Sequence, residues 1–153
     1  MPASSTAPVT VRSTAAGSTR PRLLLLDGHS LAYRAFFALP VENFSTTTGQ
    51  ATNAVYGFTS MLINLVRDHH PDRVIVAFDR PEPTFRHEMV DTYKGNRSEA
   101  PDILRQQMGL VRQVVDVLGL PVVEKVGFEA DDLIATLATR ARDRGDDVLV
   151  VTG

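Results

Sequence analysis

Four short apolar runs, separated by stretches of helical periodicity, constrain this chain more than any other feature. The runs cover residues 23–26, 74–78, 121–126 and 148–152. Unbroken Val/Leu/Ile segments of this length read as strands covered on both faces, as in a parallel sheet. After the first run, Ser30 is placed to cap a short helix over residues 31–39, which Pro40 stops. Beyond a polar loop at residues 45–50, Val55, Phe58, Leu62, Leu65 and Val66 recur at helical spacing until His70 and Pro71. Pro101 suits the first turn of another helix, with an apolar stripe of Ile103, Met108, Val111, Val115 and Leu118 and a left-handed stop at Gly119. The last helix spans residues 130–144, turning Leu133, Ile134, Leu137, Ala138 and Ala141 inward, and Gly145 ends it. Strands alternating with helices predict an α/β domain built on a mainly parallel sheet.

Composition removes several function classes. The 153 residues suit one domain, and 43% hydrophobic with 22% charged residues is ordinary for a globular fold. Without cysteine there is no disulfide, thiolate zinc site or thiol nucleophile. No apolar run approaches the roughly 20 residues that span a bilayer, so no membrane partner is expected. A formal charge of −2 leaves nucleic-acid contact to a local basic patch or to metal ions. Residues 1–21 are Ser, Thr, Ala and Pro with Arg12 and Arg20, and they hold no acid and no aromatic residue. Such a stretch buries too little apolar surface to offset its chain entropy, and we expect a disordered tail. It lacks the apolar core of a secretory signal, and its prolines break an amphipathic targeting helix, so the expected location is cytoplasmic. The fourth strand is followed directly by Gly153, and more chain is expected to follow it.

Ligands of an open parallel sheet bind beyond the carboxyl ends of its strands. Asp27 and Asp79 both stand at such ends, and Glu129-Ala130-Asp131-Asp132 follows the third strand. Glu129 and Asp132, three apart, share a helix face. Five carboxylates could thus meet at one edge, and hard oxygen ligands of this sort suit Mg²⁺ or Mn²⁺. Each acid also has a plainer reading. Asp-Gly is a common turn, acids in a first helical turn favour the dipole, and Asp79 could cap or pair locally. Between residues 80 and 105 lie Arg80, Arg86, Lys94, Arg97 and Arg105 with the rings of Phe85 and Tyr93. Cations beside stacking rings suit a single-strand clamp. Glu82, Glu88, Asp91, Glu99 and Asp102 balance them, so a solvated loop reads equally well. With two prolines and few apolar anchors, residues 80–100 are expected to be mobile without a ligand. The four histidines form no ligand spacing. Asp27-Gly28-His29-Ser30 is neither a dinucleotide turn nor a P-loop, and it lacks the second acid of an aspartyl-phosphate phosphatase.

The segment from Leu23 through Asp27-Gly28-His29-Ser30 to Tyr33-Arg34-Ala35-Phe36 resembles the opening of the 5′-nuclease domains of bacterial DNA polymerase I. So do Ala54-Val55-Tyr56-Gly57-Phe58, Phe78-Asp79, Thr84-Phe85-Arg86-His87-Glu88, Tyr93-Lys94-Gly95-Asn96-Arg97 and Gly127-Phe128-Glu129-Ala130-Asp131-Asp132, in the same order and spacing. The resemblance implies a PIN-like α/β domain with a helical arch, truncated at its carboxyl end. It implies hydrolysis of 5′ flaps and 5′ ends of nicked or branched DNA with two divalent metal ions, Mg²⁺ or Mn²⁺, in replication and repair. Asp27, Asp79, Glu129, Asp131 and Asp132 become the first metal-binding cluster. Arg86, Tyr93, Lys94 and Arg97 become the DNA contacts of the arch, with Arg86 and Lys94 at the scissile phosphate. The second acidic cluster, the duplex-gripping motif and the polymerase domains would lie downstream, leaving residues 22–153 an incomplete nuclease domain with little activity of its own. A PIN-type ribonuclease, and a non-catalytic fragment with weak metal or DNA binding, are the rival readings.

Overall fold

The structure is a computed structural model that describes residues 10–13 (backbone only), 20–80 and 101–152. In chain order it runs β1 (Thr10–Ser13), β2 (Arg22–Asp27), α1 (Gly28–Ala38), a 3-10 turn at Val41–Asn43, and α2 (Asn53–His69). It continues with β3 (Arg73–Ala77), α3 (Asp102–Val117), β4 (Val122–Val123), α4 (Ala130–Asp143) and β5 (Asp147–Thr152). The sheet order is β1-β5-β2-β3-β4, parallel throughout except for β1, which runs antiparallel to β5.

Alternation along β2 sets the layers, because successive side chains leave a strand on opposite faces. Leu24 and Leu26 join Leu31, Phe58, Leu62, Val76, Val111 and Val115 beneath α1, α2 and α3. Leu23 and Leu25 join Ala77, Ala130, Ile134, Ala141 and Val148 beneath α4. Strands buried on both faces need the unbroken apolar runs seen in the sequence. The chain leaves β2 for β3 on one side and returns later as β5 on its other side, so β2 is the topological switch strand. Among the described residues no helix is long and apolar enough to cross a membrane.

Four expectations are corrected. Within the expected tail, Thr10–Ser13 pairs with Leu149–Thr152 of β5, because an open sheet edge offers backbone partners that composition does not reveal. Residues 1–9 and 14–19 of that tail lie outside the described residues. The first helix starts at Gly28 and is capped by Asp27, not Ser30: the Asp27 side chain accepts from the Ser30 N–H, and no turn intervenes after β2. The third strand shrinks to two residues, since only Val122 and Val123 stand in register with β3, while Pro121 lends it a carbonyl.

The fourth correction lies on α3. Its buried face is Leu104, Gln107, Val111 and Val115, whereas Ile103 and Leu118 are exposed. Gln107 is fully buried because it completes two helix ends. Its Oε1 accepts from the Ala54 and Val55 N–H groups at 2.8 and 3.3 Å, donors of the first turn of α2. Its Nε2 donates to Asn53 Oδ1 at 2.8 Å, and Asn53 Nδ2 donates to the Phe36 and Leu39 carbonyls closing α1. The α1–α2 crossing is equally close: a Cβ on Gly57 would meet Ala35 Cβ at 2.7 Å.

Candidate metal centre at the carboxyl edge of the sheet

Asp27 is the last residue of β2 and is 5% exposed. Parallel register sets it opposite Ala77, two residues before Asp79. Hydrogen bonding of β3 beyond its last strand residue continues through the Phe78 N–H, which donates to the Val123 carbonyl. That extension delivers Asp79 to the same edge as Asp27. The fourth helix begins there too, because a helix following a parallel strand runs back along the sheet. Glu129 is its N-cap and Asp131 and Asp132 lie in its first turn. One bond joins the pieces: the Ala130 N–H donates to Asp79 Oδ1 at 2.6 Å.

Burial pushes the Asp27 carboxyl up to about 6. The Ser30 N–H and hydroxyl pull the other way, and the charges of Asp131 and Asp79 raise it further. Those two charges reaching Asp27 mean that all three acids share one region of negative potential. Each acid nevertheless has local work. Asp27 takes the Ser30 N–H at 3.1 Å on Oδ1 and the Ser30 hydroxyl at 2.8 Å on Oδ2. Glu129 and Asp132 form a reciprocal capping box, in which the Glu129 N–H donates to Asp132 Oδ2 at 2.9 Å. Capping roles of Asp27, Glu129 and Asp132 are therefore present in the structure.

The donor set fits a hard divalent cation in kind. Carboxylate oxygens accept more than one partner, and Mg²⁺ binds through one or two carboxylates while keeping several waters. Glu129 keeps one oxygen in its capping box, while the buried Oε1 accepts no hydrogen bond among the described residues. As the side chains stand, no three His, Asp or Glu residues among those described close around a common ion position. Metal binding would have to compete with the capping bonds.

Residues outside the expected set surround the end of β3 and line α1. His29 Nδ1 accepts from the Asp79 N–H at 3.1 Å, and its ring meets Phe78 edge-on with centroids 5.4 Å apart. Arg112 lies over Phe78 at 4.8 Å and grips Glu124 through two bonds of 2.9 and 3.0 Å. The Arg112 guanidinium holds the Glu124 carboxyl below its usual range. On α1, Tyr33 and Phe37 are half or more exposed, with ring centroids 4.7 Å apart. Their four-residue spacing on a helix was the available signal. Arg86, Tyr93, Lys94 and Arg97 lie outside the described residues.

A mainly parallel sheet of this order, with acids gathered at its carboxyl edge, defines a PIN-like α/β domain. The pattern of the 5′-3′ exonuclease N-terminal resolvase-like domain matches residues 22–153. The chain belongs to that family. It is 56% identical over 134 residues to DNA polymerase I of Mycobacterium bovis, covering 88% of this chain and 15% of the polymerase. The chain thus spans about 15% of the length of the polymerases it matches. Among solved structures, the bacteriophage T5 D15 protein co-crystallised with metal ions superposes with a TM-score of 0.56 at 22% identity, over 78% of this chain and 44% of that one. A T5 flap endonuclease in a pseudo-enzyme–product complex with DNA and metal ions gives 0.51 at 19% identity, over 80% and 45%. These two likenesses establish the fold.

Proposed function

We propose that this domain is the amino-terminal part of a metal-dependent 5′-nuclease that cuts 5′ flaps and 5′ ends of nicked or branched DNA. It works in replication and repair in the cytoplasm, as part of a longer chain with downstream polymerase domains. The observation that carries this reading is the Asp79–Ala130 bond, which brings the end of β3 and the start of α4 together beside Asp27. Membership of the 5′-3′ exonuclease family supplies the reaction class. The T5 flap endonuclease complex with DNA and metal ions supplies the precedent for substrate and ions.

Asp27, Asp79, Glu129, Asp131 and Asp132 would hold the Mg²⁺ or Mn²⁺. When bound, the ions would lower the pKa of a water and stabilise charge on the attacking and leaving oxygens. The chain's own cations do the rest. Arg86 and Lys94 neutralise charge developing on the scissile phosphate, while Tyr93 and Arg97 hold the 5′ strand. The exposed Tyr33–Phe37 pair offers a stacking platform for an unpaired base. The products are a 5′-phosphate and a 3′-hydroxyl.

Single-turnover cleavage of a 5′-flap DNA with Mg²⁺ tests this reading, comparing residues 1–153 with a longer protein that carries the downstream region. The longer protein should cut the flap, and residues 1–153 alone should bind one divalent ion weakly without cutting. Asp79→Ala in the longer protein should abolish cleavage. Preference for plain RNA over flap DNA would replace this reading with that of a ribonuclease.

A further inference from the structure

We infer that His29 is a positioning residue for Asp79, fixing where that carboxylate can stand by accepting the Asp79 N–H at Nδ1. The inference rests on the proposed metal role of Asp79.

Asp79 is tied twice. Its Oδ1 accepts from Ala130 N–H on α4, and its own N–H donates to His29 on α1, so the residue is strung between helices on opposite faces of the sheet. The β3–β4 pairing supplies its last bond at the Phe78 N–H, so Asp79 carries the first main-chain donor beyond the ladder. Without His29, that donor would have no bond to α1, and the Asp79 backbone would be guided on one side only.

The imidazole is itself held in place. It sits on the second residue of α1 and packs edge-on against Phe78 at an interplanar angle of 83°. Phe78 cannot retreat, because Arg112 covers its ring and Glu124 holds Arg112 with both oxygens. On the near side, any Cβ at residue 28 would collide with the Phe78 ring, so Gly28 is what lets the ring and the start of α1 come together. Accepting at Nδ1 places the imidazole proton on Nε2, a single tautomer of the neutral ring. A residue that orients a ligand-bearing residue in this way typically changes metal affinity when it is removed, by roughly ten- to a hundred-fold.

The test reads the bond and the binding separately. In ¹⁵N-labelled protein, an N–H···N bond transmits a through-bond coupling between the Asp79 amide nitrogen and His29 Nδ1. Observing it is the expected result, and its absence with His29 protonated on Nδ1 would overturn the assignment. Mn²⁺ binding followed by electron paramagnetic resonance supplies the second reading. His29→Ala should weaken Mn²⁺ binding by about ten-fold. His29→Asn, which puts an acceptor oxygen near the place of Nδ1, should restore most of it, and His29→Gln, which reaches instead toward the place of Nε2, should not. Asp79→Ala is the control for the underlying reading. Loss of Mn²⁺ affinity in Asp79→Ala with none in His29→Ala would overturn the positioning role alone. Unchanged affinity in Asp79→Ala would overturn the metal role and the inference with it. If His29→Ala fails to fold, the wild-type coupling and the Asn and Gln pair still decide.

Discussion

Asp79 Oδ1 and the Ala130 N–H stand 2.6 Å apart and link the end of one parallel strand to the first turn of the helix on the opposite layer. The bond satisfies a first-turn donor of α4 from outside the helix, so Asp79 acts on stability before any metal is considered. Asp79→Ala should lower stability to urea by about 2 kcal/mol in metal-free protein, the usual size of a hydrogen bond to a charged group. The same variant should no longer gain stability from Mn²⁺. Equal Mn²⁺ stabilisation of both proteins would remove Asp79 from the cation's ligands.

Asp27 should make stability fall with rising pH. Its folded-state carboxyl titrates at about 6 against an ordinary 3.8, so between these values the folded protein keeps a proton that the unfolded chain has released. The stabilisation is complete below the unfolded value and is lost as pH rises through the folded one, by about 3 kcal/mol for a shift of this size. Asp27→Asn keeps a good cap without the buried charge. Urea unfolding from pH 4 to 8 should show a flattened profile for the variant and greater stability than wild type at pH 8. Parallel profiles would contradict the burial of a charge.

Gln107→Leu tests the polar joint between α1, α2 and α3. It strands Asn53 Oδ1 and removes the acceptor of the Ala54 and Val55 N–H groups. The expected loss is about 3 kcal/mol in chemical denaturation. A neutral or stabilising outcome would mean that α2 caps itself.

Lys94→Ala in the longer protein should slow the chemical step by about 2–4 kcal/mol if the lysine acts as an electrostatic stabiliser of the transferred charge. Single-turnover rates at saturating Mg²⁺ measure this. An unaffected rate would take Lys94 out of the reaction.

How far this architecture was legible depended on which force set each element. The runs at Leu23, Val74 and Val148 become parallel strands because burial on both faces demands continuous apolar residues. Asp27 and Asp79, at the ends of the first two runs, were visible because the fold class says where strands end. Gln107 was not legible: a hydrophobic pattern scores it as solvent-facing, and only its partners on another helix make the burial favourable. The stripe slid accordingly to Ile103 and Leu118, which are exposed. Asp27 was legible as an acid at a strand end but not as a cap, because Asp-Gly reads first as a turn. His29 gave no signal, since its partner lies 50 positions away. The strand at Thr10 is held by backbone bonds that composition does not carry.

The switch position of β2 also governs how the chain can reach its native state. Its two neighbours arrive late: the β3 partner of Leu23 is Arg73, and the β5 partner of Arg22 is Asp147. The first core strand to emerge therefore cannot be enclosed until the segment from Asp147 is available, and loop closure over such separations precedes the contacts that reward it. Meanwhile four consecutive leucines wait without their sheet. Folding should be slow for a domain of this size, and aggregation should compete through β2 until β5 docks.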